Sequence, residues 1–195
     1  AMADYDFSKA ENIISIDADF LSDWQGGGYS SGYTKTRIPD KTQNKTMSYH
    51  IQFESNMSLT GSNADDRVPA KPSDLKKIVA RLYTKLTGNG EDKGSLNPSI
   101  DRYVDSCIDK IMKSPKNSVV ISGIDDVDVQ ELILLINSSL KSEVINIVSN
   151  FQSIGYEVKG ITKNYIFIVA GLSVLLVLLI ILFLDLNSYL DSYKR

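Results

Sequence analysis

Apolar and polar residues recur along this chain with two periods, and each period predicts its own kind of element. Asn12-Ile-Ile-Ser-Ile16 is a short β-branched apolar run and predicts a buried strand. Ser48-Tyr-His-Ile-Gln-Phe53 alternates and predicts a second strand; Ser118-Val-Val-Ile-Ser122 predicts a third. Helical spacing takes over elsewhere. Leu75, Ile78, Val79, Leu82 and Leu86 form a stripe, with Ser73 as N-cap, Asp74 in the first turn and Gly88 at the end. Ile100, Tyr103, Val104, Cys107, Ile108 and Ile111 form a second stripe between a Ser99 cap and Pro115. Gly123-Ile-Asp-Asp126 predicts a tight turn, followed by a third helix with Val129, Leu132, Ile133, Leu135, Ile136 and Leu140 on its apolar face.

Polar stretches separate these elements. Residues 25–33 predict an irregular glycine-rich loop, 54–72 an ordered loop, and 88–98 a linker. Val144-Ile-Asn-Ile-Val148 reads equally as a strand or as a helix running on toward the C-terminus. Strands alternating with helices predict an α/β layered fold of short, mainly parallel strands with flanking helices. We place this domain at residues 1–142, with a juxtamembrane connector at 143–164.

Residues 165–184 break both periods. They are apolar throughout, apart from the Tyr165 and Ser173 hydroxyls, and carry no charge. About 20 such residues, at about 1.5 Å rise each, match a hydrocarbon core about 30 Å thick. A helix satisfies its own backbone there, so this run predicts one C-terminal transmembrane helix with a short polar tail, 185–195. Tyr165, Tyr189 and Tyr193 suit the interfacial belts. Lys159 and Lys163 on one side balance Lys194 and Arg195 on the other, so the flanking charges choose no direction.

Composition then narrows the chemistry. The net charge of −3 gives no basic surplus to attract nucleic acid. One cysteine, Cys107, and one histidine, His50, cannot by themselves supply an iron–sulfur cluster, a zinc site or an internal disulfide. Cys107 lies in a helical stripe and reads as a small buried hydrophobe. Asp17, Asp19 and Asp23 follow the first strand, at the edge where open α/β sheets bind ligands. They are candidates for a metal or a nucleotide hydroxyl, although acids in that position more often cap a loop. Gly26-Gly27-Gly28 lacks the lysine and the following helix of a phosphate loop. His50 has no companion ligand or nucleophile in its strand. No nucleophile–base–acid set can be assembled, so the sequence predicts no catalytic, cofactor-binding or metal-ligating residue beyond these candidates.

Two stretches carry a wider likeness. Asp4-Tyr-Asp-Phe-Ser-Lys-Ala10 followed by Ile13-Ile-Ser-Ile-Asp-Ala-Asp-Phe-Leu-Ser-Asp-Trp24 is one. His50-Ile-Gln-Phe-Glu-Ser-Asn-Met-Ser-Leu-Thr-Gly-Ser-Asn-Ala-Asp-Asp-Arg-Val-Pro-Ala-Lys-Pro-Ser73 is the other, and Val119-Val-Ile-Ser-Gly-Ile-Asp-Asp126 to Asn137 extends it. Together they resemble the molybdopterin oxidoreductase superfamily, and within it the iron–sulfur/molybdopterin-like large subunit of bacterial alternative complex III, a quinol-oxidising respiratory complex. The likeness covers about residues 4–140. It implies a module of a respiratory electron-transfer complex at a bacterial inner membrane, with the N-terminal domain periplasmic and with other subunits and the lipid bilayer as partners. It adds Asp65, in Asn63-Ala64-Asp65, as a candidate at a pterin-nucleotide loop. The Gly-Thr pair of that loop is missing before Asp74, and the family's cysteine-rich cluster regions have no counterpart here. The expectation is therefore a catalytically silent, cofactor-free module. The alternative is a membrane-anchored binding or assembly protein that uses the α/β unit for protein contacts.

Overall fold

The computed structural model describes residues 3–22, 24–38, 47–90 and 94–146. The predicted helix at 165–184, its tail, and Asp23 lie outside the described residues. Among the described residues, no helix is long and apolar enough to cross a membrane.

Four strands form a parallel sheet: β2 (Asn12–Ile16), β3 (Tyr49–Glu54), β4 (Asp66–Pro69) and β5 (Ser118–Ser122), in the order β4-β3-β2-β5. Two short strands, β1 (Asp4–Tyr5) and β6 (Ile145–Asn146), pair antiparallel beside it. The helices are α1 (Ser30–Arg37), α2 (Leu59–Ser62), α3 (Pro72–Thr87), α4 (Pro98–Lys113) and α5 (Val127–Leu140). The expected α/β layered architecture with parallel strands and flanking helices is what the chain adopts.

Successive side chains on a strand point to opposite faces, and here the two faces build two cores. Ile14 and Ile16 of β2, Ile51 and Phe53 of β3, and Val120 of β5 pack against α3, α4 and α5. Ile13, Val119 and Ile121 point the other way, toward Phe7, Phe20 and Tyr33. β2 therefore lies between two layers and is buried at every residue. This explains why its sequence is a continuous apolar run rather than an alternation.

The stripe on α3 faces the core as expected, and Gly88 closes the helix in a left-handed conformation, with φ 71° and its N–H on the Thr84 carbonyl. Two helix caps lie two positions before the residues read as caps. Lys71 precedes α3 and Pro72 occupies its first turn, which places Ser73 inside the helix. Asn97, rather than Ser99, caps α4; its side chain accepts from the Ser99 N–H at 3.0 Å. Asp126 caps α5 and accepts from Val129 N–H at 3.1 Å.

Residues 143–146, read above as the start of a connector, pack as part of this unit. Val144 is buried, and its carbonyl accepts from Asp6 N–H at 2.8 Å. β6 then pairs with β1, with Ile145 opposite Tyr5. Residues 54–72, read as a loop, contain both α2 and β4. α1 begins at Ser30, inside the stretch 25–33 read as an irregular loop, and runs to Arg37.

Candidate functional site

In an open parallel sheet, the ligand crevice lies beyond the carboxyl ends of the strands, where the connections diverge. The order β4-β3-β2-β5 puts that point between β2 and β5. The chain closes it with its own backbone. Gly123 N–H donates to the Ile16 carbonyl at 2.9 Å, and a Cβ added at Gly123 would overlap the Asp17 carbonyl and lie 2.9 Å from Ala18 Cα. Residues 17–20 fold back over the strand end. Ala18 and Phe20 are fully buried, and the Ala18 carbonyl accepts from Ser15 Oγ at 3.2 Å and Gln52 Nε2 at 3.4 Å.

Asp19 stands at this edge, where the sequence placed it, but its carboxylate is engaged. It accepts from Thr60 N–H at 2.9 Å and from Thr60 Oγ1 at 2.6 Å, tying the loop after β2 to α2. Thr60 Oγ1 in turn accepts from Leu21 N–H at 2.9 Å. Asp17 is exposed and has a left-handed backbone, φ 56°. It makes the sharp reversal that carries the chain back over β2.

Asp65 does not join them. It sits just before β4, at the opposite end of the sheet, separated by roughly the length of a five-residue strand, about 16 Å. Arg37 grips it in a fork, Nη1 at 2.6 Å and Nη2 at 2.9 Å, and His50 N–H donates to it at 2.7 Å. Burial opposes ionisation of Asp65, yet the Arg37 hydrogen bonds and the His50 N–H hold its carboxyl below the usual range. Arg37 Nη1 also donates to the Ser48 carbonyl, so the pair pins α1 to the start of β3. Of the four carboxylates offered for a ligand, the three described are thus one exposed turn residue and two internal clasps at opposite ends of the sheet.

Alternation did not reveal a buried polar row on β3. His50, Gln52 and Glu54 share one face of the strand, and all three are buried under residues 17–37 and α2. The Tyr33 hydroxyl lies 3.2 Å from His50 Nδ1 and 3.0 Å from the Asn63 carbonyl. His50 Nε2 and Gln52 Oε1 have no hydrogen-bond partner among the described residues. Burial pushes the His50 imidazole down to about 4, with Gln52 opposing, so the ring is neutral at physiological pH. Glu54 is held by Ser58 N–H at 3.2 Å, by Ser58 Oγ at 2.5 Å, by Gln52 Nε2 at 3.3 Å and by the Arg67 guanidinium. Gly61 leaves the space that this carboxylate fills. The row is a set of structural braces. Among the described residues, no three histidine, cysteine or acidic side chains gather as a metal site would need.

Compared with known proteins, the chain matches no protein-family model and no curated protein.

Proposed function

We propose that this chain is a membrane-anchored, catalytically silent α/β module that resembles part of the large subunit of a quinol-oxidising respiratory complex and works through protein contacts. The supporting observation is the fate of its switch-point crevice. At the carboxyl end of β2, Gly123 lies against the Asp17–Ala18 backbone, the Ala18 carbonyl is taken by Ser15 and Gln52, and Asp19 is bonded to Thr60. The anchor rests on the uncharged run at 165–184. The likeness of residues 4–140 supports the respiratory setting, an inner-membrane location and a periplasmic domain.

The second reading, a binding or assembly protein independent of a respiratory complex, draws on the sheet edges. β5 is an edge of the sheet, and side chains of α5 and the turn after it take its Val120 N–H and carbonyl and its Ser118 carbonyl. Affinity isolation of the full chain from native membranes separates the two. Recovery of respiratory cytochromes supports the first reading, and a stable partner of another kind supports the second. Recovery of the chain in the soluble fraction alone contradicts both.

A further inference from the structure

The connection after α3 holds two residues whose chemistry the rest of the fold does not use. Gly88 closes the helix, and Asn89 and Gly90 follow it. Both are exposed. Thr87 Oγ1 accepts from the Asn89 backbone N–H at 3.2 Å, which fixes the start of the turn. Among the described residues, neither the Asn89 side-chain amide nor the Gly90 N–H has a hydrogen-bond partner. Gly90 has φ 89°, and with no Cβ its nitrogen is unhindered.

Such a pair sets a nucleophile beside an electrophile. The Gly90 nitrogen, once it has lost its proton to solvent base, attacks Asn89 Cγ. A bond forms between that nitrogen and Cγ, the bond from Cγ to the side-chain nitrogen breaks, and ammonia leaves with a proton from water. Water then opens the cyclic imide at either carbonyl. One opening gives aspartate at position 89; the other gives isoaspartate, in which the main chain runs through Cγ. The other asparagines of the fold lack a requirement. Asn97 precedes Pro98, whose nitrogen carries no hydrogen. Asn117 Nδ2 donates to the Lys9 carbonyl at 3.1 Å, and Asn137 is buried with its amide bonded at both ends. Asn56 is exposed, but it precedes Met57, whose side chain crowds the approach. Asn89-Gly90 is the one Asn-Gly pair in the sequence.

We infer that Asn89 is a site of spontaneous self-modification, converted to aspartate and isoaspartate in the folded protein. The change adds a negative charge to a chain whose net charge is already −3. The charge arises just past the C-terminal end of α3, where the helix dipole disfavours an acid, and two residues before Glu91-Asp92. Isoaspartate also lengthens the main chain between α3 and α4. Older copies of the protein are thereby marked both in charge and in the length of that connection.

The full chain, purified in detergent, is held at neutral and at mildly alkaline pH in heavy-oxygen water, then digested with trypsin in ordinary water at mildly acidic pH. Cleavage after Lys85 and Lys93 releases residues 86–93, in which Asn89 is the only asparagine. Mass spectrometry with electron-transfer fragmentation separates aspartate from isoaspartate. The expected result is heavy oxygen at position 89, isoaspartate in excess over aspartate, and faster conversion at the higher pH. The rate is expected to match that of a synthetic peptide of the same sequence, and Gly90→Ala is expected to slow it many-fold. Retention of the amide, conversion no faster than at Asn117, or a rate far below the peptide's overturns the inference. Equal rates in the parent and in Gly90→Ala overturn the attack by the Gly90 nitrogen, and the inference with it.

Discussion

The Asn137 side chain lies along Val120 as a neighbouring strand would. Its Oδ1 accepts from Val120 N–H at 3.0 Å, and its Nδ2 donates to the Val120 carbonyl at 2.7 Å. On either side, Ser142 Oγ donates to the Ser118 carbonyl at 2.7 Å and Gln130 Nε2 to the Ser122 carbonyl at 3.1 Å. The outer edge of β5 is thus closed by side chains from α5 and the turn after it. The opposite edge is blunted differently. β4 has four residues, carries Arg67, and ends in Pro69, which has no N–H to offer. Both edges of the parallel sheet are thus managed within the described residues.

Replacing Asn137 by leucine tests that closure. The change leaves a buried N–H and carbonyl on Val120 without partners, at a cost of about 1–3 kcal/mol for each orphaned group. Urea unfolding is expected to shift to lower midpoint, and light scattering to show association through the bared edge. Asn137→Asp keeps the acceptor but turns a carboxylate toward the Val120 carbonyl, and is expected to destabilise as well.

Gly123→Ala probes the closed crevice. The added methyl meets the Asp17–Ala18 backbone, which must shift to admit it. Overpacking of this kind costs about 1–3 kcal/mol. A variant as stable as the parent would mean that the crevice has slack, and hence room for a ligand.

Stability is expected to fall on mild acidification, and His50 sets the window. Its folded pKa of about 4 lies below the ordinary 6.5. Above 6.5 both states are neutral and the full contribution is present. Between 6.5 and 4 the unfolded chain binds a proton that the folded protein refuses, so stability declines by about 3 kcal/mol across that window. Asp65, held below its ordinary value, adds further loss at lower pH. His50→Gln is expected to flatten the profile between pH 6.5 and 4 while leaving the more acidic limb.

Cys107 is expected to be inert in the native protein. It is fully buried, and burial pushes its thiol up to about 12. Alkylation at mildly alkaline pH should proceed only after denaturant is added. Labelling of the native protein would place α4 away from the core.

The apolar stripes of α3, α4 and α5 and the buried runs of β2 and β5 were legible in the sequence, because each faces a core with its own period, although Tyr103 and Leu135, read on the apolar faces, are exposed. β3 misled on one side only. Its alternation was correct, yet the polar half, His50, Gln52 and Glu54, faces a second layer instead of water. Nothing in a period of two distinguishes solvent from a buried set of hydrogen-bond partners. α1 was missed because its buried side chains are Tyr33 and Thr36, which make no apolar stripe. β4 was missed because it is four residues long and carries Asp66, Arg67 and Pro69. Asp65 entered as a candidate only through the family likeness, and its clasp, Arg37, is distant in sequence and adjacent only in the fold.

The central claim is that an anchored unit whose Asp19 and Asp65 are bonded within the fold carries no cofactor of its own. Purification of the full chain from native membranes, followed by metal and pterin analysis of the isolated polypeptide, tests it most directly. The account predicts a membrane-extracted chain without stoichiometric iron, molybdenum or pterin. A chain separated from all partners that still holds any of these in stoichiometric amount would contradict it.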